Sequence, residues 1–379
     1  MNTIRVWFVV LLMMAYFTAC SVSSPSSLQP SLSHTPNASL NAQVSPTPEA
    51  TVTRTTWPTT TPIVVEGVGR AIETALKTSD FTGAALVVRQ GEVLYRGGLG
   101  FADVETGRPN TPETRFKLGS VYKQLSAALV LTLARDGLID LNGSLCQGIP
   151  ECPDSLANVT YHQVLTHSSG IGELTPEEEM QIHSNEEALR IIGDKKRLFE
   201  PGQGWSYSST AYSLFTATPE MIMGKPLGEL ERERLYEAVG MDSTGLDGFD
   251  GPPTGSAIGY SAGGSPAGGT VGNWSTVDDL WAWHRALLAG DPIPAELVAL
   301  MEKPHVQVDE DLWYGYGVEV RETYDRREIS HRGGTEGFSS YFIRFPDEDV
   351  VIILLSNRES TDVDALRERL IDIIFNQAR

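Results

Sequence analysis

Phe116-Lys117-Leu118-Gly119-Ser120-Val121-Tyr122-Lys123 marks the place where this chain changes character. Before it, apolar runs at 84–88 and 93–95, joined by Arg89-Gln90-Gly91-Glu92, predict a β-hairpin. From Ser120 the sequence predicts a helix to Asp136, stopped by Gly137. Further helices are expected over 185–192, 227–239 and 277–288, the last with Ser275-Thr276 as its caps. Strand signals return near the C-terminus, where 341–345 and 350–356 flank Pro346-Asp347-Glu348-Asp349 and 314–320 reads as a third strand. A last helix covers 362–374. The expected fold is α+β: one antiparallel sheet from N- and C-terminal strands, flanked by helices, with a mainly helical lobe inserted. No internal repeat is visible.

Ser-x-x-Lys at a helix start puts a hydroxyl and an amine on one face, one turn apart. A serine nucleophile whose base is a lysine needs that arrangement. Of the seven lysines, Lys123 alone lies three residues after a serine. Gly119 permits a sharp approach to the helix. The helix N-terminus offers N–H groups and a positive dipole, which favour an oxyanion and lower the pKa of a nearby lysine. Taken alone, the pattern is common, and Ser120 reads equally as a cap and Lys123 as a surface residue. Pro201-Gly202-Gln203-Gly204-Trp205-Ser206-Tyr207-Ser208-Ser209 is a turn-rich loop whose Tyr207 would alone pass for a packed aromatic. His331-Arg332-Gly333-Gly334-Thr335-Glu336-Gly337-Phe338 is glycine-rich and follows a strand. It could let a substrate backbone lie along a sheet edge, or be a plain hairpin turn.

The ends bound the setting. Arg5 and the apolar run 6–16 make a secretory signal, too short to span a bilayer. Phe17-Thr18-Ala19-Cys20 follows, so residues 1–19 read as a lipoprotein signal and Cys20 as the lipidated N-terminus, although Phe17 stands where an aliphatic is usual. The alternative is an ordinary signal peptide with an incidental cysteine. Residues 20–62 are rich in Ser, Thr and Pro and predict a disordered tether, in which the sequon Asn37-Ala38-Ser39 carries little weight. Residues 63–379 are globular in composition and long enough for a large core. The net charge of −20 argues against nucleic acid and against a charge-driven hold on anionic lipid. Glu177-Glu178-Glu179 reads as a solvated helix face. Cys146 and Cys152 could close a small disulfide outside the cytoplasm, or remain two free thiols. The seven histidines lack metal-ligand spacing, so no metal and no cofactor are expected.

In this order the motifs resemble those of the serine β-lactamase-like family, which includes class C β-lactamases, D-Ala-D-Ala carboxypeptidases and related esterases. Residues 116–123 are similar to the family's nucleophile motif. Leu165-Thr166-His167-Ser168-Ser169-Gly170 looks like its Leu-Leu-Thr-His-Thr-Ser-Gly segment, and the loop ending at Tyr207 leads into a Tyr-x-Asn position. Ala267-Gly268-Gly269 followed by Ser275-Thr276-Val277-Asp278-Asp279-Leu280 resembles another recurrent stretch, and His331-x-Gly333-Gly334 fits the third motif. The resemblance implies a β-lactamase/transpeptidase-like fold. It implies that Ser120 attacks a carbonyl, that Lys123 takes its proton with help from Tyr207, and that the N–H groups of Ser120 and Gly334 form an oxyanion hole. It would put Ser209, His331, Arg332 and Gly333 at the substrate and leave His167 structural.

Two departures bear on substrate. Ser209 stands where the family has Asn, which handles a substrate amide. Arg332 replaces a small Thr or Ser; facing the cleft it would bind a carboxylate bidentately, facing away it would do nothing. The sequence thus predicts an extracytoplasmic serine hydrolase, monomeric and lipid-anchored to a bacterial membrane, acting on a D-amino peptide or small ester. A β-lactamase and a non-catalytic, penicillin-binding-like lipoprotein are the alternatives.

Overall fold

The computed structural model describes residues 62–247, 252–267 and 272–376. The signal segment, Cys20, nearly all of the tether, and Gly268 and Gly269 lie outside these residues.

The hairpin expected ahead of Phe116 forms from β2 (Gly83–Arg89) and β3 (Glu92–Leu99). Its turn places Gln90 at φ 51° and Gly91 at φ 73°, the two positive φ values of a two-residue hairpin loop. Seven more strands complete the main sheet: β1 (Ile63–Val64), β4 (Val306–Asp309), β5 (Leu312–Tyr314), β6 (Glu319–Thr323), β7 (Arg326–Thr335), β8 (Phe338–Phe345) and β9 (Val350–Ser356). Their order is β1-β3-β2-β9-β8-β7-β6-β5-β4, every pairing antiparallel. An early and a late strand meet at the centre, where β2 pairs with β9 from Gly83↔Ser356 to Arg89↔Val350.

The central strands are apolar throughout because both faces are covered. Alternation divides them cleanly. Ala85, Val87, Ile343, Ile352 and Leu354 pack against helices α1 (Val68–Thr78) and α5 (Val363–Asn376). Ala84, Leu86, Phe342, Ile353 and Leu355 face the helical lobe, whose inner helices are α2 (Lys123–Arg135), α3 (Ser209–Met223) and α4 (Val277–Ala289). Buried charge pairs fix the layers to the sheet. Arg96 of β3 is bidentate to Asp278 in the first turn of α4, at 2.8 and 2.6 Å. Glu328 of β7 holds Arg367 of α5, with Nε–Oε1 at 2.8 Å.

Three local expectations are corrected. The run 314–320 is a turn between two strands, because β5 ends at Tyr314 and β6 starts at Glu319. Gly317 there sits at φ +69° and would bring a Cβ within 2.4 Å of the Lys123 carbonyl, so this turn presses on the start of α2. The helix read from Ser120 opens as a 3-10 turn over Gly119–Tyr122 and becomes α-helical at Lys123. The glycine-rich segment from His331 to Thr335 is strand, the C-terminal half of β7. Helix α3 had no counterpart in the sequence reading; its many Ser and Thr and its interior Pro219 conceal it.

Candidate active site

Ser120 stands on the 3-10 turn between the lobe and the sheet. The turn is held from both sides. Phe116 and Lys117 pair with Ser275 and Trp274, Leu118 N–H donates to Asn273 (2.9 Å), and Ser340 Oγ of β8 donates to the Leu118 carbonyl (2.7 Å). Gly119 takes φ +51°, and a Cβ there would fall 2.8 Å from Gly334 N and 2.9 Å from Gly334 O. The backbone just before the serine thus lies directly against the backbone of β7.

One turn on, Lys123 Nζ lies 3.1 Å from Ser120 Oγ and 3.3 Å from Ser209 Oγ. The amine is buried, 4.9 Å from the centre of the Tyr207 ring and 5.5 Å from that of Tyr212. Burial pushes its pKa down to about 8, against an opposing pull from Glu173. Burial drives the Tyr207 hydroxyl the other way, upward, with the Ser120 and Ser209 hydroxyls beside it pulling back. The two groups are thereby separated: near neutrality the amine can lose its proton and the phenol keeps its own.

Tyr207 is placed by His167. The His167 carbonyl accepts from Ser206 N–H (3.0 Å), its Nδ1 accepts from Ser208 N–H (3.1 Å), and its ring lies 4.3 Å from the Tyr207 ring. His167 itself adopts φ 58°, a left-handed conformation that costs energy outside glycine.

These contacts assign every proton in a buried chain. Because His167 Nδ1 accepts, its Nε2 carries hydrogen and donates to the Tyr314 hydroxyl (3.1 Å). The Tyr314 hydroxyl donates to His331 Nε2 (2.9 Å), and His331 Nδ1–H donates to the Arg332 carbonyl (2.6 Å). Both imidazoles are neutral in this chain. Burial holds His167 well below the usual histidine range and His331 at about 3, and the nearby Lys123 charge adds to both. His331 is 2% exposed, with its ring turned to Tyr314 and the Arg332 carbonyl. Gly333 is buried too.

What does face outward beside Ser120 is Ser209 and Gly334. β7 pairs with β6 only as far as Ser330, so residues 331–335 keep one unpaired edge, and Gly334 lies on it. Arg332 alternates to the other face of β7. It pairs with Asp364 of α5 (3.1 Å) and lines, with Gly334, Glu336 and Phe338, an open concavity of about 650 Å³. Cys146 and Cys152 are joined in a disulfide remote from this site in sequence. Among the described residues no cluster of three or more His, Cys, Asp or Glu could hold a metal ion.

The sequence reading missed Glu173, Tyr314 and the bracing role of His167. None of these carries a local signal, because each acts through residues distant in sequence. Chemically, the arrangement offers a hydroxyl, a buried amine of lowered pKa, a protonated phenol and an exposed strand edge converging on one point.

Comparison with known proteins places the chain in a family. A profile of the family described as Beta-lactamase matches residues 68–374. The chain is 33% identical over 192 residues to Esterase EstB of Burkholderia gladioli, covering 45% of this chain and 49% of the esterase. It is 25% identical over 297 residues to a D-aminopeptidase of Gluconobacter oxydans, covering 73% of this chain and 56% of that protein. It therefore spans only about half the length of these curated relatives. The solved penicillin binding protein from Bacillus halodurans superposes with a TM-score of 0.72 at 23% identity, over 80% of this chain and 99% of that one, which speaks to fold.

Proposed function

This chain belongs to the β-lactamase family, and we propose that within it the protein is a serine hydrolase acting through an acyl-enzyme on Ser120. The observation that carries this reading is the 3.1 Å approach of the buried Lys123 amine to the Ser120 hydroxyl. Neutral Lys123 takes the Ser120 proton as Oγ attacks the substrate carbonyl. The N–H groups of Ser120 and Gly334 receive the oxyanion. Tyr207, kept protonated, gives its proton to the leaving group and regains one from the Lys123 ammonium. Water then attacks the ester by the same route in reverse, releasing the acid and free Ser120.

A small ester is the substrate this site suits best, with a D-amino peptide next. Ser209 spends its hydroxyl on Lys123 (3.3 Å) and offers no side-chain amide for a peptide or β-lactam. The esterase and aminopeptidase relatives support the same pair of classes. Arg5, the apolar run 6–16 and Ala19-Cys20 support an extracytoplasmic protein anchored by a lipid on Cys20. The test is intact-mass spectrometry after incubation with a fluorophosphonate and, separately, a penicillin. A fluorophosphonate adduct that disappears in Ser120→Ala is expected. No adduct from the folded protein would overturn the enzyme reading in favour of a binding lipoprotein, and rapid cephalosporin turnover would reverse the order of substrates.

A further inference from the structure

A helix leaves its first four backbone N–H groups without intrahelical acceptors. At the start of α3 three side chains take all four. His167 Nδ1 accepts from Ser208 N–H (3.1 Å) and Ser208 Oγ from Ala211 N–H (2.9 Å). The Glu173 carboxylate accepts from Ser209 N–H (2.6 Å) and Thr210 N–H (2.9 Å). It also accepts from Thr210 Oγ1 (2.7 Å), which in turn accepts from Leu174 N–H (2.8 Å). The loop that carries Glu173 and the first turn of α3 are thus locked in both directions. From that turn the Ser209 hydroxyl reaches Lys123 Nζ at 3.3 Å.

We propose that Glu173 is a positioning residue for the Ser120–Lys123 pair: its carboxylate fixes the turn from which Ser209 touches the amine, and through Ser209 it lies one residue away from that amine. The inference rests on the roles given above to Ser120 and Lys123. The surroundings of Lys123 make the carboxylate's charge matter. His167 from the preceding loop and His331 from β7 are neutral, Tyr207 and Tyr212 present ring faces, and Glu319 of β6 acts on Tyr207. Glu173 supplies the negative charge that opposes burial at the amine. It therefore keeps Lys123 able to carry the proton it must later return to Tyr207.

The pH dependence of fluorophosphonate labelling of Ser120, followed by intact mass, tests this on the whole protein. In Glu173→Gln the plateau rate should fall about tenfold or more as the turn loosens. Its acid limb should move to lower pH, because the amine loses the charge that favours its protonated form. In Thr210→Val, which cuts one bond to the carboxylate and keeps the charge, the plateau should fall with the limb unmoved. A Glu173→Gln protein with the wild-type limb makes Glu173 only a helix cap and overturns the proposal. Should that variant not fold by circular dichroism, Thr210→Val decides: a plateau within about twofold of wild type refutes the positioning role. An unlabelled wild type is a separate result, which overturns the hydrolase assignment and this proposal with it.

Discussion

Tyr314→Phe removes one oxygen from the middle of the buried chain and changes almost nothing else in shape. Tyr314, His167 and His331 are 1%, 0% and 2% exposed, so water cannot replace the lost hydroxyl. His167 Nε2–H and His331 Nε2 both lose their partner. A buried polar group left unsatisfied costs about 1–3 kcal/mol, so two give about 2–6 kcal/mol. At roughly 2–4 °C per kcal/mol for a large domain, the midpoint of thermal unfolding should drop by about 4–24 °C. Differential scanning calorimetry at neutral pH reads this directly. The acid side gives a second, independent readout. His331 is held down from the usual 6.5 to about 3, first by burial and then by the Lys123 charge. Between those values the unfolded chain takes up a proton that the folded chain refuses, so stability is lost as pH falls through 6.5 and further toward 3, on the order of 5 kcal/mol for this group. In Tyr314→Phe the Nε2 lone pair is free to accept a proton, and this acid loss should shrink. A variant that melts within about 1 °C of wild type, with an unchanged slope against pH, would refute the claim that the hydroxyl anchors both rings.

Labelling of Ser120 should rise with pH to a plateau above about 8, the pKa of Lys123, with a roughly fivefold increase between pH 7 and 8; an acid limb near 6.5 would instead implicate a histidine. Gly119→Ala places a Cβ against Gly334 N and O at φ +51°; it should cost about 1–3 kcal/mol in unfolding free energy and about a hundredfold in labelling rate. Equal rates would show that the approach of Gly119 to Gly334 is not needed. Cys20→Ser should abolish incorporation of a labelled fatty acid and move the protein out of the membrane fraction; retention there would refute the anchor.

Much of the fold was legible because its strands declare themselves. Residues 350–355 form an unbroken apolar run, and β9 covers it and Ser356. The run 314–320 also reads as a strand, but its two glycines serve contacts with Met301 and Lys123 that no local pattern reveals. Helix α3 was hidden because Ser, Thr and Pro disfavour helices in isolation, and its start depends on His167 and Glu173. At the site, spacing and order single out Ser120, Lys123 and Tyr207, and these side chains lie close together in the structure. His331 was expected at the substrate and is buried. Arg332 could not be placed at all until the register Arg332↔Tyr341 set its side of β7, next to Asp364. Orientation within a strand is a property of pairing, and a lone sequence does not contain it.

The pairing of an early strand with a late one sets the order in which this domain can close. Gly83 pairs with Ser356, so the central ladder closes across almost the whole domain. A contact of such separation carries a large loop-closure cost and forms late. Ser120 and Lys123 are synthesised early and are near neighbours, whereas the strand that carries Gly334 comes with the last fifth of the chain. A nascent or truncated polypeptide would hold the hydroxyl and the amine without the backbone edge that completes them. The chemistry proposed here therefore waits for β7 to be made and to pair, so an incomplete chain holds the reacting side chains without activity.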